Sequence, residues 1–350
     1  MVRRAWRVLA ISIASAVLFG AIVLATVIGP VYIPPATVAA IILNKTPLVD
    51  SLFKPNWPSA YESIVILVRL PRAILGALVG AALALSGAVM QGMFRNPLAD
   101  PYVLGLAAGG TFGASVSIVL GVSLGLGLAK YSILFFAFVF TLLTALLVYG
   151  ISRVGSKVPV ETLLLAGVAV STFFWSINSF MKYLAGEKLE AIVFWIMGGL
   201  WLAGWGDVAL VVLPITLGSI AILLFSRDLN AMLTGEEVAS SLGVNVETAK
   251  KALLALSSLL VASAVAVSGP IGFIGLVVPH MVRLITGPDH KILLPLSSLT
   301  GATFLTLSDL AAKLIIRPAE LPVGIITAST GAPFFIYLLR RRKRAMGWVS

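Results

Sequence analysis

Long apolar runs alternate with short polar connections over almost the whole chain. Ten such runs stand at about 6–29, 64–91, 101–124, 131–152, 160–184, 207–226, 251–268, 271–284, 292–315 and 321–339. Most have the roughly 20 residues an α-helix needs to cross the hydrocarbon core of a bilayer; the eighth is short. A further apolar piece, residues 185–206, reads as a short interfacial helix with Trp195, Trp201 and Trp205 at headgroup depth. Counted as a span, it would make eleven and set the two termini on opposite sides. The opening run could pass for a signal peptide, but from Val8 to Gly29 it exceeds the usual core of ~7–15 residues. It is read as a retained first helix. The pattern predicts an all-α integral membrane protein with about ten transmembrane helices, residues 1–350 forming a single transmembrane domain.

Composition strengthens that picture. Hydrophobic residues make up 59% of the chain and charged residues 11%, with a mean hydropathy of +1.05. A soluble domain carries about a quarter charged residues, so the solvent here is lipid. The net charge of +11 does not point to nucleic acid, because the basic residues sit in short loops and at the ends of apolar runs. With ten spans and the N-terminus inside, 16 of the 25 Lys and Arg fall on the inner side and 9 on the outer. Both termini are then cytoplasmic, as the positive-inside rule favours. Cysteine is absent, which removes disulfides, thiolate ligands and cysteine nucleophiles together.

Two connections are longer than the rest. Residues 30–63 form an extracytoplasmic loop rich in proline, and residues 227–250 form the one sizeable polar stretch on the inner side. The second contains the sequence EEVASSL between Gly235 and Gly243, which predicts a short amphipathic helix with glycine stops. It is either a docking element for a partner or an ordinary solvated loop. The turn after the second run, Arg95-Asn96-Pro97-Leu98-Ala99-Asp100-Pro101, has two residues, Asn96 and Asp100, that can each cap a helix opening on the following proline. Small residues at Gly76, Gly80, Ala81, Ala82, Ala84, Ser86 and Gly87 suit close helix packing.

Candidate chemistry is sparse. No Gly-rich loop with Lys-Ser/Thr is present for phosphate binding. The glycine clusters at 109–113 and 269–275 read as helix-packing or helix-breaking features. His280 and His290 are the only histidines, no carboxylate shares a helix face with them at ligand spacing, and no metal site or catalytic residue is expected. Asp309 and Lys313, four residues apart in the ninth run, share a face. They form either a mutually satisfied structural pair or a functional one, because charges at membrane depth are rarely idle. These features leave a membrane subunit that works with a partner, an ion-coupled secondary transporter or channel acting without an ATPase, and a membrane-embedded enzyme, the last lacking catalytic groups.

Several strings carry a family resemblance. Arg69-Leu70-Pro71-Arg72, followed by GALVGAALALSGAVMQGMFRNPLADPYVLG, resembles the permease subunits of vitamin B12, iron-siderophore and haem ABC importers of the FecCD type. So do LLLAGVAV, LTGEEVASSLG, GPIGFIGLVVPHMVRLITGPDHKILLP and ELPVGIITASTGAPFFIYLL, in the family's order from about residue 64 to the C-terminus. The resemblance implies the type II ABC importer permease fold in the cytoplasmic membrane and a homodimer working by alternating access. It also implies two copies of a separate ATPase, which would carry the ATP and Mg, and an extracytoplasmic substrate-binding protein; no cofactor is implied for this chain. Substrates in the family are cobalamin, ferric siderophores, haem and, in some members, oxyanions such as molybdate.

Site residues follow by matching positions. Gly235, Glu236, Glu237, Ala239, Leu242 and Gly243 match the coupling helix that sits in a cleft of the ATPase. Arg69, Arg72 and Lys313 match basic positions that receive acidic residues of the binding protein, Lys standing where the cobalamin importer has Arg. The alternative for Arg69 and Arg72 is a helix anchored to lipid phosphates, and both are expected at the outer start of the second helix, with Pro71 in its first turn. Val160 and Glu161 fall at the cytoplasmic gate. Ser171, Trp175, Asn178 and Ser179 on the fifth helix, with Thr327 and Thr330 on the tenth, are neutral and mixed, which suits either the translocation path or a packed interface.

Overall fold

The computed structural model describes residues 2–45, 56–121, 129–155 and 157–345. Its α-helices are α1 (Val2–Val27), α2 (Pro35–Asn44), α3 (Ser59–Ser63), α4 (Leu70–Met93), α5 (Leu106–Leu120), α6 (Ala129–Ser152), α7 (Val160–Leu184) and α8 (Leu189–Met197). They continue with α9 (Trp205–Leu224), α10 (Ser226–Leu233), α11 (Glu236–Ser241), α12 (Val246–Ser268), α13 (Ile274–Thr286), α14 (His290–Ile315) and α15 (Val323–Ala345). Among the described residues, seven helical stretches are long and apolar enough to span a membrane: those of α1, α4, α6, α7, α9, α12 and α14. The shorter apolar helices α5, α13 and α15 bring helices to all ten predicted runs. The segment 185–206 holds a 3₁₀ turn at Gly186–Lys188, the nine-residue α8 and the first residues of α9, and no full span, as its composition suggested.

The bundle is built around α4, which packs against α14, α12, α13, α9, α1 and α10. Small residues set the spacing of these contacts. A side chain at Gly80 would strike the Gly301 carbonyl on α14, and one at Gly87 would strike the Gly275 backbone at the start of α13. Lipid tails are as apolar as leucine, so association in a bilayer depends on such close van der Waals contact.

The second apolar run is entered through helix, not loop. α3 passes through a π-helical segment, Ile64–Arg69, directly into α4, so that helix is continuous over 35 residues from Ser59 to Met93. Pro71 therefore lies inside a helix rather than opening one, a correction to the sequence-based expectation. The π register accounts for its tolerance. The Leu70 amide bonds to the Val65 carbonyl, five residues back; the next bond in that register would join residue 71 to Ile66, and proline has no N–H. The Trp205 indole Nε1 donates to the Ile66 carbonyl at 2.8 Å in its place.

Residues 30–63 are likewise not all loop. Pro35 occupies the first turn of α2, where its missing amide is harmless. Val38 and Ile41 then pack on Ile33 and Val65 in a small separate apolar core. Asn96 caps no helix: its Oδ1 accepts the Leu98 amide at 3.0 Å in a tight turn. Asp100 does cap, accepting the Tyr102 amide at 2.7 Å at the start of the 3₁₀ turn Pro101–Leu104.

The Tyr102 hydroxyl accepts the Ile271 amide at 3.0 Å, within the break between α12 and α13. Gly269 (φ 64°) and Phe273 (φ 70°) bend the chain there. Irregular backbone at membrane depth survives only where protein buries and satisfies it. The glycines of 269–275 thus break a helix, whereas Gly109 and Gly113 let α5 pack on α6 against Thr144 and Phe136.

Replacing Trp205 with Phe should lower stability by about 0.5–1.5 kcal/mol, read as a lower unfolding midpoint in detergent. In a Pro71→Ala background, where residue 71 regains its N–H, most of that loss should vanish. An equal loss in both backgrounds would show that the indole does not serve the Ile66 carbonyl.

Candidate functional site

Charged side chains gather at the two ends of the bundle. At the end where α1 and α14 finish, Arg72 of α4 donates from Nε to both oxygens of Asp309, at 3.1 and 3.0 Å, and from Nη2 to Oδ1 at 2.8 Å. Its Nη1 donates to Glu320 at 2.7 Å. Lys313 lies 2.8 Å from the other Asp309 oxygen. Two cations and two anions make the group neutral, which is the condition under which buried charge persists. The Asp309–Lys313 pair is the one the helical spacing predicts; Arg72 and Glu320 complete it from far along the chain.

Arg69, Arg72 and Lys313, expected as docking residues, are not open to solvent within this chain, which corrects the placement of the two arginines at the outer rim. They are only 4%, 5% and 4% exposed. Arg69 caps the C-terminal end of α1, donating to the carbonyls of Thr26 at 3.3 Å, Val27 at 2.7 Å and Val31. A cation there satisfies the last carbonyls of the helix and complements its dipole. Gly29 leaves room, since a Cβ at that position would lie 2.7 Å from the guanidinium. The physical reason for the correction is the added helix of α3 and the π segment, which places both arginines inside the bundle instead of at its rim.

At the opposite end Asp289 joins three helices. It caps α14 through the Lys291 amide at 3.0 Å, accepts from Asn230 of α10 at 2.7 Å, and pairs with Arg7 of α1 at 2.5 Å. Partial burial raises its pKa, but the Asn230 and Lys291 hydrogen bonds and the Arg7 charge outweigh that and hold it below its ordinary 3.8.

Nearby, α11 lies between Gly235 (φ 124°) and Gly243 (φ 88°), as the glycine spacing predicts. Ala239 faces inward, whereas Glu237, Val238 and Leu242 are exposed, Leu242 at 68%. Glu236 pairs with Lys250 of α12 at 2.7 Å, and Lys250 lies 3.8 Å from Glu247. Glu247 in turn accepts the Val158 amide at 3.3 Å, in the turn before α7. Val160 is half-buried and Glu161 exposed at the start of that helix.

Of the expected path residues, Trp175 and Ser179 are exposed on α7, Ser171 is half-buried, and Thr330 is exposed on α15. Asn178 and Thr327 are fully buried. Asn178 turns to α5, donating to the Ala108 carbonyl at 3.1 Å, and Thr327 bonds Gly324 of its own helix. Neither faces an open path within this chain: Asn178 is held by α5, and Thr327 is buried on α15. Sequence reasoning overlooked Val238; its apolar side chain in a polar loop, one turn before Leu242, was the available signal.

The FecCD transport family profile matches residues 17–341. The chain belongs to the FecCD transport family. It is 45% identical to the cobalamin import system permease protein BtuC of Halobacterium salinarum over 286 residues, 82% of this chain and 76% of that protein. It is 41% identical to the hemin transport system permease protein HmuU of Yersinia pestis over 299 residues, 85% of this chain and 89% of that protein. Among solved structures, an inward-facing protein assigned as a metal-chelate type ABC transporter superposes with a TM-score of 0.80 at 32% identity, covering 95% of this chain and 98% of that one. The fold is thus that of an ABC importer permease, a multi-pass membrane subunit of a family that is not itself catalytic.

In this FecCD-family permease, replacing Arg72 with Met should cost about 3–5 kcal/mol, the range for breaking a buried pair and stranding its partner. Replacing half-exposed Glu320 with Gln should cost under about 1 kcal/mol. Thermal unfolding in detergent measures both, and equal losses would contradict the arrangement. The depressed pKa of Asp289 means its carboxylate stabilises the fold above pH 3.8 and loses that contribution as pH falls through its folded pKa. Asp289→Asn should therefore lower the unfolding midpoint at pH 7, by an amount that shrinks as pH falls below 3.8.

Proposed function

We propose that the chain is the membrane-spanning subunit of an ATP-driven importer for a metal chelate or corrinoid, such as cobalamin, haem or a ferric siderophore. It works as a homodimer with two copies of a separate ATPase and an extracytoplasmic binding protein, in the cytoplasmic membrane with both termini cytoplasmic. ATP and Mg belong to the ATPase, and no cofactor is assigned to this chain. The observation that carries the reading is α11. A helix of six residues cannot be stable alone, yet this one presents Val238 and Leu242 to the outside beside two carboxylates. In a chain of this family, such an element fits a cleft of the ATPase.

The two named relatives supply the substrate class, since one is named for cobalamin and the other for hemin. Ser171, Trp175, Ser179 and Thr330 offer neutral, mixed contacts suited to a large ligand. Gating belongs to Val160 and Glu161 at the start of α7. Docking of the binding protein is recast by the burial of the basic residues. Arg69 is committed to α1, and a carboxylate of the partner reaches Arg72 or Lys313 by exchanging with Glu320, the most exposed member of the cluster. No observation favours an ion-coupled carrier. The buried carboxylates Asp309 and Asp207 are each tied to a cation, Asp207 to Lys130 at 2.6 Å.

Val238→Asp and Leu242→Asp change exposed positions and should leave insertion and unfolding midpoint unaltered. Each should lower recovery of the ATPase subunit on affinity purification at least about tenfold, the equivalent of roughly 1.4 kcal/mol. Full recovery with both variants would place the ATPase contact elsewhere.

A further inference from the structure

α11 is joined to the turn before α7 by charged groups, although the two are far apart in sequence. Glu236 opens α11, and its carboxylate is 2.7 Å from Lys250. The Lys250 side chain is 8% exposed, against 40% for Glu236 and 26% for Glu247. The ammonium is thus held in the bundle between two carboxylates that reach toward the surface. Glu247 extends the chain to the Val158 amide. Pro159 follows as the cap of α7, and Val160 is its first residue.

Three further features separate this arrangement from an ordinary surface ion pair. Gly235 and Gly243 hold conformations rare for other residues, and nothing lies within 4 Å of where their Cβ atoms would stand. α11 is therefore a short rod between two unobstructed swivels. Its connection to the bundle is light: Ala239 is its one buried residue, and among the described residues Glu236 makes its one ion pair. Finally, Lys250, Val158, Val160 and Leu163 line one small cavity, so the ammonium and the start of α7 border the same space.

We infer that Lys250 is a positioning residue that transmits displacement of α11 to the Val158–Val160 turn, so that the ATPase-facing helix and the gate move together. The inference rests on the reading above for the identity of the two ends; the linkage itself is drawn from the geometry. Displacing α11 moves the Glu236 carboxylate, and a buried ammonium follows its counter-charge because losing it leaves an uncompensated charge. Glu247 then shifts, and with it the Val158 amide. Coupling needs a differential contact of this kind between states.

The test uses the complex of this chain with the ATPase subunit that copurifies with it, in proteoliposomes. Val160→Cys is introduced into the cysteine-free chain, and crosslinking across the dimer is measured with and without ATP and Mg. In the parent and in Lys250→Arg, which keeps the charge, crosslinking should change at least about fivefold with nucleotide. In Lys250→Met the change should fall below about twofold. Glu247→Ala, which cuts the link to Val158 without touching α11, should give the same loss, so the result does not depend on how well Lys250→Met folds. A nucleotide response equal to the parent's in either assembled variant overturns the inference. A parent with no nucleotide response overturns the gate assignment, and the inference with it.

Discussion

The contact between α4 and α14 is the constraint on which the rest of the bundle depends. Gly80 and Gly301 bring the two backbones together, and Arg72, Asp309 and Lys313 fix their register at one end. The glycines supply proximity without direction, while the guanidinium supplies direction, since its planar donors match the carboxylate. α4 also packs against α1, α9, α10, α12 and α13, so its position bears on all of them. Moving α14 along α4 by one turn would part Arg72 from Asp309 and set it against Leu305 or Lys313, so the ion pair favours the observed register.

Much of this was legible in the sequence, and the exceptions have a common physical origin. Apolar runs report helices directly, because a span must satisfy its backbone within itself. The Asp309–Lys313 pair was legible because four residues is one turn of helix. Gly235 and Gly243 bracketed α11 because backbone conformation at a glycine is local. Arg72 with Asp309 was not legible, because nothing in a single sequence says which distant helix an arginine will face. The same limit hid Lys250 with Glu236 and turned Asn178 the wrong way. Proline misled twice: Pro71 sits inside a helix because a π segment and Trp205 compensate for it, and Pro35 begins a helix within a supposed loop.

The two ends of the molecule differ in how their charges are held, and the difference suits a permease. At the Arg72 end, Arg69 and the four-residue cluster are locked among α1, α4 and α14. At the Asp289 end, ion pairs such as Glu236–Lys250 retain one exposed partner, and the short helices α10 and α11 are bounded by turns. Under the proposed function, rigid packing lies where the binding protein docks, and loosely held charge lies where the ATPase drives movement. Stability is commonly lowest in the elements that move.

The wide sequence separation within the Arg72 cluster has a consequence for how the protein is made. Asp309 lies 237 residues after Arg72. At about 5–20 residues per second, α4 waits roughly 10–50 s for its counter-charge to be synthesised. During that time Arg72 must keep its guanidinium at the lipid headgroups, snorkelling along its apolar stem. Only once α14 is made can the arginine take its paired place. The helix at the centre of the finished bundle is thus made early and completed late.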